Sequence, residues 1–215
     1  MHLQGHLLYI DITQICGIGC AFCMYADKHK AGISMELSTL ARENLSRLIN
    51  ASEVKRISIS GEGEPLNNAK VFHEILGLSE GGKSFEFITS GFYPHDKMEE
   101  FYDTTNRIVL ANGDTCNIRL SADSHHIEKV KWRAHGFSLD FLLRRQPSGL
   151  SFSFRSIDTD RDFTREYLKS ELACWGLEAT IEPRSVLEDV LAAGGDCFGI
   201  DYKNLVHPAL GIAPG

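Results

Sequence analysis

Short runs rich in β-branched and aromatic residues alternate along the chain with stretches whose apolar residues return every three or four positions. Leu7-Leu-Tyr-Ile-Asp-Ile-Thr13 reads as a first strand. From Ser34 to Asn50, the residues Leu37, Leu40, Ala41, Leu45, Leu48 and Ile49 fall at helical spacing, with Ser34 placed as N-cap. Further strands are expected over Val54 to Ser60, Phe85 to Thr89, Asn117 to Ser121, Leu150 to Ser156 and Leu177 to Ile181. Helices are expected between them, over Ala69 to Leu78, His95 to Thr104, Ile127 to Leu143 and Asp160 to Cys174.

After a longer first step, the strands start about 30 residues apart, which is the length of one βα unit. Alternation of this kind implies a parallel sheet with right-handed crossovers. Six units make an open sheet or a partial barrel, and a site belongs at the carboxyl ends of the strands. Residues 1–185 are expected to form this core. Residues 186–215 form a Gly-rich tail of unassigned fold, and the Ile212-Ala-Pro-Gly215 end leaves open a longer chain.

A chain of 215 residues suits one domain with a full core. Its net charge of −7 disfavours a broad electrostatic grip on nucleic acid. No run approaches the roughly 18 apolar residues of a membrane span, and the start lacks a targeting pattern. A cytoplasmic protein is expected. Three of the six cysteines crowd between Cys16 and Cys23, while Cys116, Cys174 and Cys197 are scattered. Clustering of this kind points to metal rather than to a disulfide scaffold.

Cys16-Gly-Ile-Gly-Cys20-Ala-Phe-Cys23 directly follows the first strand. A cubane iron–sulfur cluster normally takes four thiolates. Three ligands leave one iron open to a substrate or cofactor, and Gly17 and Gly19 suit a loop wrapped round a cluster. This spacing, with Phe22 before the last cysteine, resembles the signature of the radical S-adenosylmethionine superfamily. The resemblance implies a partial parallel (βα)6 barrel with Cys16, Cys20 and Cys23 as catalytic ligands of a 4Fe-4S cluster. S-adenosylmethionine would chelate the open iron and be cleaved to a 5′-deoxyadenosyl radical that takes hydrogen from a substrate. Phe22 and Tyr25 would border the cofactor.

Ser60-Gly-Glu-Gly-Glu-Pro65 follows the second strand and resembles the family's Gly-Gly-Glu motif, with Glu62 in place of the first Gly. The resemblance puts Gly63 against the cofactor and the Glu64 carboxylate on its ammonium group. Thr89-Ser-Gly91 resembles a Thr-Asn-Gly segment. Arg119-Leu-Ser-Ala-Asp123 resembles an Arg-x-Ser-x-Asp stretch, with Ser121 toward the cofactor carboxylate or ribose and Asp123 nearby. Arg155, at the end of the fifth strand, can grip a carboxylate bidentately. The resemblance spans about residues 7–183.

His125 and His126 read as solvated loop residues or as substrate contacts, and Lys28, His29 and Lys30 as a solvated loop. Cys116 and Cys174 read as small hydrophobes rather than ligands of a second cluster. Two rivals stay open. The three thiols with His29 could hold zinc in a non-enzymatic metal-binding module, or the fold could persist as a catalytically silent scaffold. For an oxidoreductase in specialised biosynthesis or modification, the resemblance implies a small-molecule or peptide substrate. It also implies a reductant such as flavodoxin or ferredoxin.

Overall fold

The computed structural model describes residues 6–20, 23 and 32–204. They form an α/β fold around one eight-stranded sheet that is not closed into a barrel. The strands are β1 (His6–Asp11), β2 (Val54–Ser60), β3 (Ser84–Thr89), β4 (Thr115–Ser121), β5 (Leu150–Ile157), β6 (Ala179–Ser185), β7 (Glu188–Ala193) and β8 (Asp196–Lys203). The helices are α1 (Thr39–Asn50), α2 (Ala69–Leu76), α3 (His95–Asn112), α4 (Ser124–Lys129), α5 (Ala134–Arg145) and α6 (Arg161–Cys174).

β1 to β5 lie side by side in chain order, all parallel. A sequential order with crossovers of one hand puts the connecting helices on one face of the sheet. Ile57, Ile59, Phe85, Phe87, Cys116, Ile118, Leu120, Phe152 and Phe154 point to that face and are buried against helix residues such as Phe72, Phe101, Tyr102 and Phe141. Because strand side chains alternate, Tyr9, Ser58, Glu86, Asn117, Arg119, Ser153 and Arg155 share the opposite face. That face is polar.

Several expected elements move. Ser34 does not cap α1, because its backbone bridges Thr13 and its hydroxyl lies 2.7 Å from that of Thr13. The cap is Ser38, whose side chain accepts from the Ala41 N–H. α3 runs on past Thr104 because Thr105 and Val109 continue its buried stripe, and it stops only at Gly113. The single helix expected over Ile127 to Leu143 is two. Asp123 caps the short α4, the chain turns extended at Val130, and α5 restarts at Ala134.

The sixth strand is displaced. β6 sits at the sheet edge, antiparallel to β7, and β8 takes the place beside β5, parallel to it. β7 and β8 lie in the stretch left unassigned from sequence. Ala193 pairs with Asp196 around Gly194-Gly195, whose φ values of 63° and 93° fit the two-residue turn that matches strand twist. Asp189 of β7, fully buried, ties this meander to α6. Its carboxylate accepts from Arg161, from Arg165 Nε at 2.7 Å and from Tyr202 Oη at 2.8 Å.

Candidate functional site

The cysteine loop leaves the carboxyl end of β1, and its base is clamped from several sides. Gln14 N–H donates to Ile33 O, and Met35 N–H to Ile12 O. Asn68 Nδ2 donates to both Ile12 O and Met35 O, and Asn67 Nδ2 to Ile15 O. Asp11, the last residue of β1, accepts from Thr13 N–H and from Glu62 N–H, both at 3.1 Å. These bonds fix where the loop emerges.

Gly63 belongs to the same clamp. Its N–H donates to Thr13 O at 2.9 Å, and a Cβ there would lie 2.7 Å from Gln14 C and Ile15 N. The glycine is therefore required by the approach of two protein loops. Glu64 is buried and its carboxylate is fully engaged. Oε1 accepts from Leu66 N–H and Thr89 Oγ1, and Oε2 from Ser90 N–H at 2.8 Å and Ser90 Oγ at 2.6 Å. Four donors fill the acceptor sites of a carboxylate. Its geometry makes Glu64 a staple between the loops after β2 and β3, where sequence reasoning offered it to an ammonium group. Glu64→Gln turns an amide toward donors it cannot satisfy, and is expected to cost about 1–3 kcal/mol, read as a lower urea midpoint.

Among the cysteines of the loop, Cys20 is buried, while Cys16 and Cys23 are partly exposed. Burial pushes the Cys16 thiol up, and the Ile18 N–H opposes it. A Cβ at Gly17 or Gly19 would meet nothing within 4 Å among the described residues. Among the described residues, no three His, Cys, Asp or Glu side chains converge to hold a metal. Phe22, Tyr25 and His29 lie outside the described residues.

Ser121 and Arg155 are brought together. They are register partners at the carboxyl ends of β4 and β5, and Asp201 of β8 is the next partner of Arg155. Among the described residues, Arg155 Nε is buried with no hydrogen-bond partner. Burial and the nearby Arg119 lower its affinity for a proton. Arg119, one step down the face, bridges Glu86 Oε1 at 2.7 Å and Asp201 Oδ2 at 3.1 Å. Lys203 follows Asp201 on the same side of β8, and its pKa is lowered by burial and by Arg155. Glu86, Asp201 and Lys203 were not singled out from sequence. Strand alternation would have flagged Glu86, but Asp201 and Lys203 depended on placing β8.

Asp123 and His126 form a tight pair. Both Asp123 oxygens face His126 Nδ1, at 2.9 and 2.7 Å, and Asp123 Oδ1 also accepts the His126 N–H. Burial works against a charged His126 ring, but Asp123 and a side-chain hydrogen bond with Cys20 outweigh it, pushing its pKa up to about 10. His126 is thus not a solvated loop residue. Behind it, buried His135 bonds Ser121 O at 3.0 Å through Nε2 and Tyr167 Oη at 2.9 Å through Nδ1. Burial lowers the His135 pKa to about 4, so the ring is neutral, donating to Ser121 and accepting from Tyr167. This relay fixes the end of β4 from α5 and α6.

No family model matches the chain. No curated protein matches it. Among solved structures it is similar to BtrN, crystallised in complex with AdoMet and 2-DOIA. That similarity has 14% identity and a TM-score of 0.46, over 72% of this chain and 58% of that one. It is also similar to methylornithine synthase (PylB), with 12% identity and a TM-score of 0.29, over 70% of this chain and 52% of that one. The chain thus spans little more than half the length of either structure. No described helix is long and apolar enough to cross a membrane.

Proposed function

We propose that this chain is the core of a radical S-adenosylmethionine enzyme, with Cys16, Cys20 and Cys23 holding a 4Fe-4S cluster whose fourth iron takes S-adenosylmethionine. One observation carries the reading. The three-thiol loop leaves the carboxyl end of β1, at the same end of a parallel sheet where Ser121 and Arg155 stand side by side. Carboxyl ends of parallel strands are where such sheets bind ligands.

The residues fit the group. Three thiols are the donor type an iron–sulfur cluster needs, and one too few to close it. The Arg155 Nε–H, buried and without an acceptor among the described residues, suits a carboxylate. Ligand binding and loop ordering are commonly coupled at metal sites, so the three thiols are expected to converge as the cluster forms. When bound, cluster and cofactor supply the reductive cleavage that yields a 5′-deoxyadenosyl radical and removes hydrogen from a substrate.

The protein's own part is position and shielding. Gly63 and Glu64 hold the loops after β1, β2 and β3 in place. Ser121 would offer a hydroxyl, and Arg155 a guanidinium, to the cofactor's carboxylate or ribose, and the sequence resemblance assigns Phe22 and Tyr25 to its border. A small-molecule or peptide substrate would lie over the polar face. Flavodoxin or ferredoxin would supply the electron, in specialised biosynthesis or modification in the cytoplasm.

Anaerobic reconstitution with iron and sulfide, then reduction and addition of S-adenosylmethionine, tests this reading. A brown protein releasing 5′-deoxyadenosine and methionine is expected. A colourless protein holding zinc would overturn it. Arg155→Met is expected to weaken S-adenosylmethionine binding roughly ten- to hundredfold, the worth of a hydrogen bond to a charged group, measured by calorimetry on the reconstituted protein.

A further inference from the structure

We propose that Arg155 and Lys203 form a subsite for an anionic group of the substrate, a carboxylate or a phosphate. The inference rests on the radical-enzyme reading above and deepens it by naming the substrate class.

Charges on the polar face of the sheet are unevenly matched. Glu86 and Asp201 are both engaged by Arg119, with Glu86 Oε1 at 2.7 Å and Asp201 Oδ2 at 3.1 Å from the same Nη2. Glu86 Oε2 also accepts from Ser58 Oγ at 3.0 Å, and Arg119 Nε reaches Ser153 Oγ at 3.4 Å. A network thus runs from β2 through β3 and β4 to β8. Arg155 and Lys203 have no share in the ion pairs of Arg119. Among the described residues, Arg155 Nε has no hydrogen-bond partner. The register partner of Lys203 is Ile157, which offers an ammonium no acceptor.

Register fixes how the two cations stand. Arg155 pairs with Asp201 and Ile157 with Lys203, in parallel, so Lys203 lies one strand over and two residues on from Arg155. Side chains alternate along each strand, so both belong to the polar face. Strand spacing and rise put the two Cα atoms about 8 Å apart, and long side chains from such diagonal positions can meet. Burial lowers the proton affinity of both groups, with Arg155 adding to the effect at Lys203 and Arg119 at Arg155. An anion between them relieves that repulsion and supplies the missing acceptor. S-adenosylmethionine does not balance the pair, because its carboxylate comes with an ammonium and a sulfonium. A guanidinium has five N–H donors. Arg155 can therefore hold the cofactor's carboxylate by one edge and share the substrate's anion with Lys203 by another.

The test titrates the full chain at low ionic strength with inorganic phosphate or succinate. Nuclear magnetic resonance follows lysine labelled at 13Cε and arginine labelled at 15Nε. The Lys203 and Arg155 signals, assigned by their loss in Lys203→Met and Arg155→Met, are expected to move together with one dissociation constant. In Lys203→Met the affinity, read on Arg155, is expected to fall roughly tenfold, the worth of one hydrogen bond to a charged group. Lys203→Arg is expected to keep it, as is Lys169→Met at an exposed position of α6. The anion that binds more tightly distinguishes a phosphorylated substrate from a carboxylic acid. Signals that stay still with both anions, or a Lys203→Met chain that binds as tightly as wild type, overturn the subsite. The titration needs no cluster, so the two readings fail separately. A chain that takes up iron but binds neither anion loses only the subsite. A chain that binds an anion but takes up no iron keeps the anion site and loses the enzyme reading.

Discussion

Replacing Cys16, Cys20 and Cys23 together by Ala is expected to drop iron from about four per reconstituted chain to background, and to abolish release of 5′-deoxyadenosine. Cys174→Ala is expected to leave both unchanged. The contrast follows from placement. The first three thiols share one loop at the end of β1, whereas Cys174 is an exposed residue at the end of α6. Cys116 is another matter, because it is fully buried in β4 and burial pushes its thiol far up, away from the thiolate a metal needs. Iron and sulfide analysis with the visible spectrum reads the first outcome, and chromatography of the cleavage products reads the second. A triple variant that still carries four irons would show that other residues bind the cluster.

The second large effect concerns stability. Asp189→Ala is expected to destabilise the fold by about 3–5 kcal/mol, the usual cost of removing one partner from a buried ion pair. Asp189 is fully buried, and the cost comes from what remains: Arg161, Arg165 and the Tyr202 hydroxyl all lose their shared acceptor. For a chain of this length, that is a fall in melting temperature of roughly 10 °C, measurable by thermal denaturation. The pH dependence has a definite sign. Burial alone would raise the Asp189 carboxyl, but Arg165, Arg161 and Tyr202 outweigh it and hold it well below the usual carboxylate range. Its contribution is thus fully present above about pH 4, the unfolded value, and is lost as pH falls toward the folded one. Asp189→Asn should accordingly show a flatter acid limb in a plot of stability against pH.

The two effects lie on different links between sequence and function. In the proposed reading the cysteines act on chemistry, through a loop whose base is held by Asn67, Asn68, Asp11 and Gly63. Asp189 acts on the placement of β8, and through β8 on the polar face that Arg155 and Asp201 share. Loss of Asp189 should therefore loosen Arg155 as well, although the two side chains stand on opposite sides of the sheet.

Periodicity by itself determined the parallel βα core from β1 to β5, because each strand carries its own alternating burial and each helix its own apolar stripe. It also determined the thiol loop after β1, because close sequence spacing requires no tertiary knowledge. Ser121 and Arg155 were likewise legible as strand-end residues. Tertiary structure alone decided three things. The position beside β5 went to β8 rather than to β6, because a Gly194-Gly195 turn and the buried Asp189 network favour a meander over another crossover. Glu64 became a staple, because Thr89 and Ser90 arrive from another strand with donors that no local pattern announces. His135 fixes the end of β4 because the Tyr167 hydroxyl reaches its ring from α6, a contact between residues 32 positions apart that the sequence carries only through the fold.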